Sequence, residues 1–121
     1  MELEKLQTRF TICKLPPDAP VDLSGRFRFV GRTDEELSLV CPTEDAPDNT
    51  IAREDGWRGF RIRGTLGFSL VGILAKLSST LADGGIGLFA VSTYNTDYVF
   101  VKEESFTRAL DLLSRDGWKL A

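Results

Sequence analysis

Histidine is missing from all 121 residues. Its absence removes imidazole as a general acid or base near neutral pH and as a metal ligand. Cysteine is nearly as scarce: Cys13 and Cys41 sit in apolar, strand-like runs without Cys-x-x-Cys spacing. Two such thiols read as buried and reduced, with a disulfide or redox role as the alternative. No metal site and no cofactor are expected from this inventory. A basic block is absent too, since 15 Lys and Arg face 18 Asp and Glu for a net charge of −3. Phosphate binding needs clustered cations, so no nucleic-acid partner is expected. The one local concentration is Arg58, Arg61 and Arg63, read as a solvated or subunit-facing strand face, or as a contact for an anionic ligand. No apolar stretch approaches the ~18 residues of a membrane span. The charged start, Met1-Glu2-Leu3-Glu4-Lys5, does not read as a signal peptide. The expectation is a cytoplasmic chain without membrane association.

What is present is ordinary globular composition, with 42% hydrophobic and 27% charged residues. The length suits one domain or two very small ones. The second half is the more regular. Phe60 and Ile62 alternate with Arg61 and Arg63, as in a strand with one polar face. Leu70, Ile73, Leu74, Leu77 and Leu81 then recur at helical spacing up to Gly84-Gly85, a helix stop. Ile86–Ser92 and Asp97–Lys102 read as strands around the turn Tyr94-Asn95-Thr96. Glu103 and Glu104 favour a helix start. Phe106, Ala109, Leu110 and Leu113 form its buried stripe, and Gly117 ends it before a last short strand. The order β-α-β-β-α-β is the ferredoxin-like arrangement of an α+β fold.

The first half reads as a degenerate copy at an offset of 61. Asp55-Gly56-Trp57-Arg58 falls on Asp116-Gly117-Trp118-Lys119, Val30 on Val91, Glu36 on Asp97, Leu39 on Phe100 and Val40 on Val101. Pro16, Pro17 and Pro20 leave no room for a first helix there. The expected division is 1–56, a repeat lacking its first helix, and 57–121, a complete one, with Trp57–Arg63 a shared central strand.

Three pieces of the second repeat carry polar chemistry and converge in such a fold. The loop Gly67-Phe68-Ser69 leads into the first helix, whose unpaired N–H groups suit a carboxylate. Gly67 permits close backbone approach, and Ser69 either caps the helix or donates to a ligand. Thr93 and Tyr94 supply backbone groups and a wall. Asp97 offers a carboxylate to an ammonium group. Each piece also has a plain structural reading: a capped turn for Gly-Phe-Ser, a hairpin residue for Asp97.

Taken together, Gly67-Phe68-Ser69-Leu70-Val71-Gly72-Ile73-Leu74, Leu81-Ala82-Asp83-Gly84-Gly85-Ile86 and Ser92-Thr93-Tyr94-Asn95-Thr96-Asp97-Tyr98 resemble the ACT domain family. More narrowly they are similar to double-ACT proteins of the CASTOR-type amino-acid sensors. The resemblance implies a non-catalytic regulatory module. It implies an amino acid held by the strand-to-helix loop, matched by Ser69 and Leu70, and by a Thr-aromatic-x-x-Asp pattern, matched by Thr93, Tyr94 and Asp97. The sensors have four ACT-like units and this chain two, so a homodimer would restore the missing interface. The alternative is an ACT-like dimerisation module without ligand. An RNA-recognition fold lacks its Gly-aromatic basic signature in Tyr98–Glu104, and an acylphosphatase-like enzyme lacks a basic loop at Thr65–Phe68.

Overall fold

The computed structural model describes residues 2–63 and 72–121. They fall into two compact units, Thr8–Trp57 and Arg58–Ala121 with Met1–Gln7. Two long strands pass through both: β1 (Glu2–Leu15) and β4 (Ala52–Arg63).

The unit of residues 8–57 adds β2 (Phe29–Arg32) and β3 (Leu37–Pro42), in the sheet order β2-β3-β1-β4. β1 and β3 pair antiparallel with Thr11 opposite Cys41 and Cys13 opposite Leu39. That register gathers Cys13, Leu15, Leu37, Leu39 and Cys41 into one buried cluster. Ala19 and Val21 of the proline segment cover it, in place of the helix the prolines forbid. A second difference from a full repeat lies after β3. The 3₁₀ turn Thr43–Asp45 is the counterpart of the other unit's 3₁₀ turn Glu103–Ser105, but no α-helix follows it, and Pro47 comes next. Both cysteines are free and buried. Burial raises both thiol pKa values, that of Cys41 to about 11, which keeps them protonated and unreactive. Thr11, fully buried, donates its hydroxyl to Asp55 Oδ1 at 2.6 Å and lies 2.9 Å from Thr43 Oγ1.

The other unit has the ferredoxin-like order. After β4 come α1 (Ile73–Asp83), β5 (Phe89–Ser92), β6 (Asp97–Lys102), a 3₁₀ turn (Glu103–Ser105), α2 (Phe106–Arg115) and β7 (Lys119–Leu120). The strands lie in the order β7-β1-β4-β6-β5. The start of β1 is therefore inserted beside the first strand of the repeat, an element the βαββαβ reading omitted. It pairs parallel to β7, Leu3 opposite Leu120. Leu3, Phe60, Ile62, Val99 and Val101 meet Leu77, Leu81, Phe106, Ala109, Leu110 and Leu113 in the core. Each of the larger side chains, Val, Leu, Ile and Phe, contributes roughly 1.5–3 kcal/mol by leaving water.

Both helices stop the same way. Gly85 and Gly117 have φ of 75° and 97°. Around them, Ile86 N–H bonds Leu81 C=O and Gly85 N–H bonds Ala82 C=O; Trp118 bonds Leu113 and Gly117 bonds Ser114 in the same pattern. This is the Schellman cap, which satisfies otherwise orphaned carbonyls. It also corrects the expected strand Ile86–Ser92. Ile86 belongs to the cap and packs in the core, so β5 begins only at Phe89.

The repeat offset needs correction as well. Phe29 pairs with Val40 as Phe89 pairs with Phe100, and Arg32 with Leu37 as Ser92 with Asp97. Thr33 N–H bonds Glu36 C=O just as Thr93 N–H bonds Thr96 C=O. The hairpins correspond at an offset of 60, not 61. The counterpart of Asp97 is Leu37, and Glu36 corresponds to Thr96. A one-residue slip exchanges the two faces of a strand, so Glu36 is not an acidic echo of Asp97.

An added Cβ would meet nothing within 4 Å at either Gly117 or Gly87, but only Gly117 has left-handed φ. Gly117→Ala is expected to destabilise the protein by about 1–2 kcal/mol and Gly87→Ala to change it by less than about 0.5 kcal/mol. Paired urea titrations would check the difference.

Candidate functional site

Of the residues singled out in sequence, Gly67, Phe68, Ser69 and Leu70 lie outside the described residues. The helix they were expected to lead into, α1, is described from Ile73. Gly72, with φ 85°, is the residue before Ile73 and occupies the N-cap position.

Thr93, Tyr94 and Asp97 are brought together by the β5–β6 turn. Thr93 closes it, donating from N–H and Oγ1 to Thr96 C=O at 2.8 and 2.9 Å. Thr96, for which residue spacing holds no signal, ties the turn to β4: its hydroxyl donates to Ile62 C=O at 2.6 Å. The turn is thus held beside the end of β4, at Ile62. Tyr94 is 87% exposed and fills no interior space.

Asp97 opens β6. Alternation along the strand puts it on the same face as Val99 and Val101, the face the helices cover. Its repeat counterpart, Leu37, is 1% exposed in the core of the other unit. Asp97 is half-buried, and no hydrogen bond or ion pair engages its carboxylate among the described residues.

The three arginines do not form one group. Arg61 and Arg63 lie on the helix-free face and close on Glu4. Arg61 Nε donates to Oε1 at 2.8 Å, and Arg63 Nη2 and Nε donate to Oε2 at 2.8 and 2.9 Å. Arg61 Nη1 also donates to Tyr98 Oη at 3.1 Å. Arg58 falls with Phe60 and Ile62 on the helix-covered face. Its guanidinium stacks 4.2 Å from the Phe106 ring centroid, and Nη2 donates to Leu6 C=O at 3.3 Å. Alternation held the signal for this split, since position 58 shares parity with 60 and 62.

Comparison with known proteins agrees with this architecture. The family model described as ACT domain matches residues 52–115, more than half of the chain. The chain belongs to the ACT domain family. The rat and human proteins named cytosolic arginine sensor for mTORC1 subunit 1 are each 37% identical to it over 60 residues. That stretch is 49% of this chain and 18% of each sensor, so the likeness spans under a fifth of those relatives. A solved protein of Agrobacterium tumefaciens is 31% identical, with a TM-score of 0.89, over 99% of this chain and 91% of its own. The ligand-free regulatory subunit of aspartate kinase from Thermus thermophilus shares the fold, with a TM-score of 0.69 at 14% identity and coverage of 95% and 96%. Among the described residues of this chain no helix is long and apolar enough to cross a membrane.

Arg63 first, then Arg61, hydrogen-bonds the Glu4 carboxylate and holds its pKa below the ordinary 4.5. A depressed folded-state pKa means that the cluster stabilises the ACT fold above pH 4.5 and loses that stabilisation as pH falls through the lowered value. Glu4→Gln is expected to reduce the melting temperature at pH 7, and the gap from wild type should close in acid. Melting curves from neutral to strongly acidic pH read this directly; a gap constant with pH would show the pairing to be inert.

Proposed function

We propose that this protein is a non-catalytic regulatory module that binds an amino acid at the strand-to-helix connection of its second repeat. The residues assigned to the ligand are Gly67, Phe68, Ser69, Leu70, Thr93, Tyr94 and Asp97. The observation that carries the reading is the position of Asp97. A carboxylate stands half-buried on the helix-covered face where the other repeat places a core leucine, Leu37. A buried-side carboxylate without a partner is costly unless a cation meets it, and the ammonium group of an amino acid is such a cation. The Thr96–Ile62 bond supports the assignment by fixing the turn beside the end of β4. Exposure of Tyr94 supports it too, because a tyrosine packed inward would take the ligand's volume.

The sensors' name joins sensing to arginine in those proteins. For this chain the proposed class is an α-amino acid in the cytoplasm. A homodimer is the proposed assembly, with a second copy standing in for units the longer sensors carry. Repeat 57–121 is assigned the ligand and 1–56 a supporting role.

A thermal-shift screen across the amino acids tests the proposal. A ligand at about a hundredfold its Kd adds about 2.7 kcal/mol to stability, enough to raise the melting temperature by several degrees. The responding amino acid should lose its shift in Asp97→Ala. A full shift retained in that variant would refute the site, and no response to any amino acid would favour a dimerisation module.

A further inference from the structure

We propose a second binding site on this ACT chain, for a small oxyanion carried on an apolar segment, in the hollow between the start of β1, Arg58 of β4, and α2. The hollow measures about 430 Å³. Lys5 and Arg58 bring two cations to it, and Phe106, Leu110 and Leu120 bring apolar surface. Thr107 adds a hydroxyl.

Among the described residues, neither cation of this hollow is paired with a carboxylate side chain. Arg61 and Arg63 share Glu4, but Arg58 has no carboxylate partner among the described residues, and neither has Lys5. The carboxylate of Asp111, which lines the hollow, pairs with Arg115 at 3.0 Å. Arg58 is half-buried, and its Nε is buried with no acceptor. A partly desolvated cation lacking a counter-ion is unfavourable, so the hollow is electrostatically prepared for an anion.

It is also prepared geometrically. Stacking on Phe106 and the bond to Leu6 C=O hold the guanidinium in one orientation. A held, planar fork of donors loses little entropy on meeting carboxylate or phosphate oxygens. The apolar surface beside it selects an oxyanion with an aliphatic tail over inorganic anions. Carboxylate and phosphate share this chemistry, and the hollow is assigned to the shared class. The site uses none of the residues assigned to the amino acid.

The test is a titration of the whole chain with butyrate, butyl phosphate and, as the control, butylammonium, at constant ionic strength. The readouts are the Arg58 Nε–Hε signal and the backbone amides in heteronuclear NMR. Butyrate or butyl phosphate should move the Arg58 signal and the Phe106 and Thr107 amides saturably, leaving Thr93–Asp97 unmoved. The arm that saturates at the lower concentration identifies the oxyanion. Arg58→Gln should weaken binding at least about tenfold, the loss of a charge-assisted hydrogen bond. Where that variant fails to fold, Lys5→Gln, at an exposed position, should weaken binding as well. A linear response, an equal response to butylammonium, or unchanged affinity in a folded variant overturns the proposal. A thermal response to an amino acid that vanishes in Asp97→Ala would be untouched by any of these outcomes.

Discussion

Alternation along the last half of β4 sends Phe60 and Ile62 into the helix-covered core and turns Arg61 and Arg63 to the opposite face. The rest of this unit depends on that pleat. The core beneath α1 and α2 forms around Phe60 and Ile62. Arg61 and Arg63 become free to share Glu4, which β1 presents on the same face. Arg58, one period earlier on the core side, is directed to Phe106 instead. Even the β5–β6 turn takes its place from β4, through the Ile62 carbonyl. A strand has only two faces, and one shift of register would exchange all of these contacts together.

The two units differ in which elements they keep. The unit of residues 8–57 keeps the strand order and the hairpin but contains no α-helix. Its sheet is closed by Ala19, Val21 and Ala46 over a layer that includes both cysteines. The other unit keeps both helices and the Schellman caps that end them. Equivalent positions then diverge in a way that packing alone does not demand. Leu37 completes a core, while Asp97 brings a charge to the same place.

Much of this fold was legible in the chain. Leu77, Leu81, Phe106, Ala109, Leu110 and Leu113 recur at the helical period and are all buried. β6 spans Asp97–Lys102, as its alternation indicates. The glycines at 85 and 117 stop their helices because only a residue without a Cβ takes the left-handed turn at no cost. The start of β1 was not legible. Leu3, Leu6 and Phe10 recur at intervals of three and four, which is helical spacing, although the segment is a strand. Its partner β7 lies over a hundred residues away in sequence, and no local pattern reports a pairing of that range.

Period, composition and turn chemistry were enough to establish a ferredoxin-like α+β chain, a first repeat too rich in proline for its first helix, and a polar cluster at Thr93–Asp97. Each of these properties depends on residues near one another along the chain. Which polar residues share a place was settled by the three-dimensional packing alone. It separated Arg58 from Arg61 and Arg63, matched Asp97 to Leu37 rather than to Glu36, and assigned the tether of the turn to Thr96. Every one of those outcomes depends on which strand lies beside which, and in what register. Register is set by the whole sheet and its core, so no single segment of the chain contains it.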